Sequence, residues 1–380
     1  MNKLVNVRLN LTYIKDILQN VTTKLKIFII ESKFLHIFVH IFINMTEIEL
    51  KKCEKLVEFF NTPIIRTEQI AGGGSGRKYF RIYTDMGSLI FCSSPDIQEN
   101  ITFIRLTEYL RLRGLRAPLV IDRFSDNTCY LMQDLGNKDL LTLIRERKSW
   151  DDISEAMDLI FFMLVHMQCL PYEEWENIVQ FPKFNKDLIL ADCQYAFENF
   201  ISVSKTEFNE KRLWDDFQFL AMTLLDYPAL NWGLMYRDFQ SRNIMVSSKR
   251  FCPYYFIDYQ SARFGPGIYD LVSFAWQAKA GFTPRERERL IDLYINKMKA
   301  KGKDIEKPVR ENIDYFVVLR ILQTLGAYGK RGLQEGKTHF IESIPAALKN
   351  LNEVLAKERI KNQMPELSSI IFKISEKYNV

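Results

Sequence analysis

The sequence predicts an α+β protein of two lobes: a small N-terminal lobe built on a β-sheet and a larger, mainly helical C-terminal lobe. Three observations lead there. Short strand-like runs bracketed by glycine occupy residues 70–133. From residue 138 onward, apolar residues recur mostly at helical spacing. The 380 residues suffice for two lobes with a cleft between them. The expected division is an extension over 1–44, an N-terminal lobe over 45–136 and a C-terminal lobe over 137–380.

Composition narrows the function classes. A hydrophobic content of 47% and a charged content of 26% fit a soluble globular chain. The net charge of +5 is spread along the chain, which gives no case for nucleic acid but is compatible with anionic substrates. Cys53, Cys92, Cys129, Cys169, Cys193 and Cys252 form no C-x-x-C pair, and the four histidines do not cluster with them. No zinc site is expected, and the reducing cytoplasm is the expected compartment.

Residues 26–44 are rich in Ile and Phe but are interrupted by Glu31, Lys33, His36 and His40. They fall short of the ~20 nearly uncharged apolar residues of a membrane span, so no stable insertion is expected. They read as an amphipathic helix, a surface anchor, or translated sequence upstream of a start at Met45. The last is preferred, and an intact native mass beginning at Met1 would contradict it. Thr46 and Glu49 then form a capping-box pattern opening a helix over 46–60, with Ile48, Leu50, Leu56, Val57, Phe59 and Phe60 as its apolar side.

Gly72, Gly73, Gly74, Ser75 and Gly76 follow, a loop whose backbone N–H groups can approach phosphate oxygens closely. Alternating Tyr79, Arg81 and Tyr83 suggest a strand leaving it, with Arg77, Lys78 and Arg81 supplying positive charge. Residues 88–92 read as the next strand, and 96–113 as a helix ended by Gly114, with Glu99 and Glu108 either orienting a basic residue in the cleft or, the preferred reading, on its solvated face. Residues 128–133 form a strand, and Asp134-Leu135-Gly136 reads as the hinge between lobes. Helical spacing then covers 140–147, 153–168, 184–201 and 208–225. His166 sits among apolar residues and reads as a buried structural group. Asp187, Asp192, Glu198 and Asn199 remain open as groups facing a substrate hydroxyl.

The chemistry concentrates in Tyr236-Arg237-Asp238-Phe239-Gln240-Ser241-Arg242-Asn243 and in Ile257-Asp258-Tyr259-Gln260. Ile244-Met245-Val246 and Tyr254-Tyr255-Phe256-Ile257 read as two strands joined by the polar turn 247–250. Asn243 enters this hairpin and Asp258 leaves it, so both side chains can reach one magnesium ion, which prefers hard oxygen ligands. Asp238 is the candidate base for an attacking hydroxyl. An Asp, an Asn five residues on and a second Asp closing a strand are the parts phosphoryl transfer needs. Gly265-Pro266-Gly267 reads as a turn before a helix on which Asp270 caps the helix or holds the catalytic loop. Helices over 284–300, 308–328 and 340–357 complete the chain, with residues 326–332 as a basic, glycine-rich break between them.

The order G-G-G-S-G-R-K-Y-F-R, Q-D-L-G, Y-R-D-F-Q-S-R-N, I-D-Y-Q and G-P-x-x-Y-D-L-V-S resembles the aminoglycoside phosphotransferase-like kinases over about residues 46–350. Within them it looks most like the anomeric kinases of N-acetylmuramate and N-acetylglucosamine in cell-wall recycling. The resemblance implies a bilobal protein-kinase-like fold that uses ATP and magnesium. Asp238 would be the base, and Asn243 and Asp258 the metal ligands. The adenine would bond backbone near Gln133 and Leu135, with Gly72, Gly73, Gly74, Ser75, Gly76, Arg77 and Arg81 at the phosphates. Residues 88–92 lack the phosphate-pairing lysine of many kinases, so Arg77, Lys78 or Arg81 could replace it. Tyr236 stands where the family usually has histidine, which implies altered packing. A relative often works beside a nucleotidyltransferase that uses the sugar 1-phosphate. Two alternatives remain: a nucleotide-binding pseudokinase with a regulatory role, and an aminoglycoside kinase.

Overall fold

The computed structural model describes residues 45–70, 76–228, 231–247 and 253–380. The readings placed on residues 1–44, on Gly72, Gly73, Gly74 and Ser75, and on the turn at 248–250 lie outside the described residues.

Helix α1 (Glu47–Val57) opens on a capping box: Thr46 N donates to the Glu49 carboxylate at 2.8 Å, and Glu49 N donates to Thr46 Oγ1 at 3.2 Å. Its inward face differs from expectation. Cys53, Leu56 and Val57 are buried, whereas Ile48 is 69% exposed. Glu49 turns inward instead, because its carboxylate serves the cap and also accepts from Lys78 Nζ at 3.2 Å.

The N-terminal sheet holds β1 (Arg66–Ile70), β2 (Lys78–Thr84), β3 (Gly87–Ser93), β4 (Val120–Arg123) and β5 (Cys129–Gln133), all antiparallel, in the order β1-β2-β3-β5-β4. Strands β1 and β4 are the edges. The polar side chains of β1, and Asp122 and Arg123 of β4, suit an edge, and those of β1 hid it from a pattern built on apolar residues. The alternation of β2 separates two faces, as expected. Phe80 and Ile82 join Phe91, Leu131 and α1 in a small core on one side. Tyr79, Cys92 and Tyr130 face the other way, onto helix α2 (Ile97–Leu112). Phe103 of α2 stacks on Tyr130 and on Tyr259, with ring centroids 5.3 Å apart in each pair. Thr107 and Tyr259 share a hydroxyl hydrogen bond of 2.6 Å. The sheet is thus tied through α2 to the segment that carries Asp258.

The larger lobe follows with α3 (Leu140–Glu146), α4 (Asp151–Gln168), α5 (Lys186–Ala196) and α6 (Glu210–Leu225). Strand β6 (Trp232–Met235) leads into the catalytic segment, and β7 (Ile244–Val246) pairs with β8 (Tyr254–Phe256) as the predicted hairpin. Strand β9 (Arg263–Pro266) pairs with β6, so Gly265 and Pro266 lie in extended backbone rather than in a turn. Helices α7 (Ile268–Ala275), α8 (Pro284–Ala300), α9 (Glu306–Tyr328), α10 (Ile344–Leu355) and α11 (Pro365–Lys377) complete the lobe. Helix α9 is its axis: Phe316, Val317, Val318, Leu319 and Leu322 are fully buried.

The stretch 326–332 is not a break. Helix α9 runs on as a π-helical segment, Gly329–Gln334, beside a second one, Phe197–Ile201, that extends α5. The glycines there serve close approach: a Cβ on Gly329 would lie 1.9 Å from the Asn199 carbonyl oxygen. Among the described residues no helix is long and apolar enough to cross a membrane.

Candidate active site

The hairpin β7–β8 does what its spacing requires. Asn243, at its entrance, sits beside Asp258, at its exit: Asn243 Nδ2 donates to the Asp238 carbonyl at 2.9 Å and lies 3.4 Å from Asp258 Oδ2. With its amide nitrogen so engaged, Asn243 has its side-chain oxygen left as a ligand beside the Asp258 carboxylate. Gln260 Nε2 donates to Asp258 Oδ1 at 2.8 Å and steadies that carboxylate. This set, one carboxylate and one amide oxygen, fits the few protein ligands that magnesium takes.

Two residues of the constellation hold left-handed backbone, Arg237 at φ 73° and Asp258 at φ 65°. Such conformations cost of order 1–3 kcal/mol each and persist where surrounding structure enforces them. Asp270 of α7 enforces the first. It is fully buried; its carboxylate accepts from Tyr236 N and Arg237 N, each at 2.8 Å, and from Gln168 Nε2 at 2.8 Å. Of the two roles foreseen for Asp270, it takes that of holding the catalytic loop. Tyr236 enforces the second. Its ring is buried against Phe239, Phe256 and Tyr259, and its hydroxyl donates to the Ile257 carbonyl. A tyrosine here therefore binds the strand before Asp238 to the residue before Asp258.

The Asp238 side chain keeps 34% of its surface open. Its Oδ1 accepts from Arg320 at 3.1 Å, and Ser261 Oγ lies 3.4 Å from Oδ2. Arg320 comes from α9, is 5% exposed, and also donates to Ser273 Oγ at 2.9 Å. Asp192 of α5 pairs with Arg237 at 3.2 Å. It is the member of the open group Asp187, Asp192, Glu198 and Asn199 that faces the catalytic loop. Asp187 and Glu198 are exposed, and Asn199 bonds Tyr195 and Gln334. Burial raises the Asp192 carboxyl against the pull of Arg237, Arg320 and Arg263. Burial, with Arg237 adding to it, lowers the Arg263 guanidinium to about 10.

In the N-terminal lobe the basic residues separate. Arg77, 3% exposed, pairs with Glu99 of α2 at 2.6 Å, so Glu99 takes the less favoured of its two readings and orients a basic residue, while Glu108 is exposed as preferred. Burial raises the Glu99 carboxyl against the pull of Arg77. Arg77 Nε is buried and has no hydrogen-bond partner among the described residues. Arg77 lies just before β2, and a base held by a helix glutamate is the arrangement in which kinases use their strand lysine. Lys78 instead reaches Glu49, on the sheet's other side. Arg81 is committed to the hinge: it bonds both Asp134 oxygens, at 2.6 and 3.1 Å, and the Gly136 carbonyl at 3.2 Å. Gly76 is exposed at the loop's end, and Gln133 and Leu135 are half-buried at the hinge. The Gln133 backbone pairs with Leu89 in the sheet and its N–H donates to the Leu119 carbonyl at 2.8 Å. His166 is half-buried rather than buried and contacts the Arg113 carbonyl at 2.8 Å.

Arg320 was missed because it lies 82 residues beyond Asp238. A signal existed: it is a lone charge inside the apolar run 315–322, and a buried charge needs a partner.

Comparison with known proteins places this geometry. The profile of the phosphotransferase enzyme family matches residues 66–305. The chain is 26% identical over 290 residues to an N-acetylmuramate/N-acetylglucosamine kinase of Neisseria meningitidis serogroup B, covering 73% of this chain and 82% of that protein. It is 23% identical over 306 residues to a protein of the same name from Pseudomonas putida, covering 78% and 85%. The crystal structure of the choline kinase LicA from Streptococcus pneumoniae superposes with a TM-score of 0.56 at 16% identity, covering 81% of this chain and all of that one, a likeness of fold.

Proposed function

This chain belongs to the phosphotransferase enzyme family, and from that premise we propose that it transfers the γ-phosphoryl group of ATP to a hydroxyl of an amino sugar, N-acetylmuramate or N-acetylglucosamine, at the anomeric position. The observation that carries the reading is the convergence of Asp238, Asn243 and Asp258, with the Asn243 amide 2.9 Å from the Asp238 carbonyl and 3.4 Å from the Asp258 carboxylate. The names of the relatives from Neisseria meningitidis and Pseudomonas putida support the choice of sugar.

In this reading Asp238 accepts the proton of the attacking hydroxyl, and Arg320 orients its carboxylate. Asn243 and Asp258 would hold magnesium, which supplies charge neutralisation at the nucleotide phosphates. Arg77, held by Glu99, supplies positive charge in the N-terminal lobe, in the role of the strand lysine. Gly72, Gly73, Gly74, Ser75 and Gly76 would offer backbone N–H groups to the phosphates, and the hinge backbone at Leu135, with the Gln133 carbonyl, would take the adenine, since the Gln133 N–H is given to Leu119. The cytoplasm is the compartment we assign, and the five described cysteines are all unpaired, as a reducing compartment allows. A sugar 1-phosphate product would serve a nucleotidyltransferase.

The test is ADP release from Mg-ATP with a panel of amino sugars and aminoglycosides. Turnover on an N-acetylated sugar is expected, and Asp238→Asn should lower it about 100- to 10,000-fold, the range for a positioned general base, with Mg-ATP affinity retained. Turnover on aminoglycosides alone would overturn the sugar assignment. Mg-ATP binding without turnover on any acceptor would favour the pseudokinase.

A further inference from the structure

Beside the catalytic loop lies a recess walled by residues of that loop, by the segment after α7 and by α9. Its polar lining includes Gln240, Arg242, Ser273, Lys279, Arg320 and His339, and no aspartate or glutamate lines it. The recess adjoins the chemistry directly. Arg320, one of its walls, reaches Asp238 at 3.1 Å, and Ser241 of the same loop is clamped to Gln277, another wall residue, at 2.6 Å.

The charges on this wall are not balanced. Arg320 is answered by Asp238. Arg242 and Lys279 form no ion pair or hydrogen bond among the described residues, and both are exposed. Desolvation lowers the Lys279 ammonium, and Arg242 and Arg145 lower it further, with Glu342 pulling weakly the other way. Two unpaired cations kept side by side next to a catalytic base invite an anion. They would repel a polyamine acceptor. Guanidinium is suited to a carboxylate, whose two oxygens match its planar fork.

We propose that the acceptor carries a carboxylate, and that Arg242 and Lys279 bind it in this recess while the reacting hydroxyl faces Asp238. The inference rests on the phosphotransferase reading of the cleft and deepens it. Of the two sugars considered, it selects the one with a carboxylate-bearing lactyl ether, N-acetylmuramate, over neutral N-acetylglucosamine.

The experiment measures kcat/KM for both sugars, and Mg-ATP affinity, in the full chain and in Arg242→Gln and Lys279→Gln. The wild type should prefer N-acetylmuramate, mainly through KM. Each variant should cut the N-acetylmuramate to N-acetylglucosamine ratio of kcat/KM about 10-fold, the effect of losing one charge-assisted hydrogen bond. Lys279→Gln lies outside the catalytic loop and guards against a folding defect in the other variant. Equal losses on both sugars, or weakened Mg-ATP binding with an unchanged ratio, would overturn the proposal and assign the two cations to the nucleotide. A wild-type preference for the neutral sugar would overturn it while leaving the kinase reading intact. Failure on every hydroxyl acceptor would instead overturn the kinase reading itself.

Discussion

Asp270 commits both carboxylate oxygens to the backbone that presents Asp238, and it does so from a fully buried position. Burial pushes its carboxyl up to about 7, against the pull of its three N–H donors. An unfolded aspartate titrates near ~3.9, so between about 4 and 7 the native chain binds more protons than the unfolded one. Stability linked to this group is therefore fully present below about 4 and is lost as pH rises through about 7. Denaturant midpoints of the wild type and Asp270→Asn, followed from pH 4 to 8, should show the wild type losing stability relative to the variant as pH rises, by at most about 1.4 kcal/mol per pH unit. A constant gap would show that the native carboxylate stays ionised throughout. The residues read from sequence and those missed differ in one physical respect. Asn243 and Asp258 stand at the two ends of one hairpin and Asp238 lies five residues before Asn243, so local spacing brings them together. Arg320 reaches Asp238, and Glu99 reaches Arg77, only through the packing of helices whose register the sequence does not print.

Two π-helical segments, Phe197–Ile201 and Gly329–Gln334, lie where the continuations of α5 and α9 approach closely. A π-turn widens the helix and shifts its side-chain register by about 100°, and glycine permits the approach. A Cβ on Gly329 would stand 1.9 Å from the Asn199 carbonyl oxygen, a backbone atom that cannot rotate away. Gly329→Ala should therefore destabilise the chain by about 1–3 kcal/mol, the usual cost of overpacking. Because α5 carries Asp192 and α9 carries Arg320, kcat should fall with it. Chemical denaturation and acceptor kinetics on the same preparation check both effects, and an alanine variant as stable as the wild type would show that the helices separate freely. The stretch read as a loop because glycine and charge dominate its composition. Its glycines at 326, 329 and 332 recur every three residues, a helical spacing that marks close packing of one face. Strand β9 was hidden for a related reason: Gly265 and Pro266 punctuate a sequence locally, yet pairing with β6 decides their conformation. Helices with amphipathic patterns and capping signals, such as α1 and α8, were legible because those signals are contained within each helix.

The hinge at the end of the N-terminal lobe is held by a buried ion pair. Arg81 of β2 and Asp134 have side chains 8% and 7% exposed and meet at 2.6 Å. Breaking such a pair from one side leaves an uncompensated charge and costs about 3–5 kcal/mol, whereas removing both partners costs far less. Asp134→Ala should thus destabilise the N-terminal lobe strongly, and Arg81→Met added to it should restore much of the loss. The same cycle tests what the pair does for the whole molecule. Arg81 also donates to the Gly136 carbonyl, so the guanidinium sets the direction in which the chain leaves the sheet for the larger lobe. If that direction positions the nucleotide cleft over Asp238, the double variant regains stability without regaining Mg-ATP affinity. The aromatic bridge of Tyr130, Phe103 and Tyr259 remains in both variants and keeps the lobes attached, so a loss of affinity would report orientation and not separation. Denaturation midpoints and Mg-ATP titration of the two single variants and the double variant decide it. A double variant no more stable than Asp134→Ala would mean that the orphaned arginine was not the penalty. Recovery of affinity together with stability would mean that the hinge pair holds the fold and leaves the orientation of the cleft to the aromatic bridge.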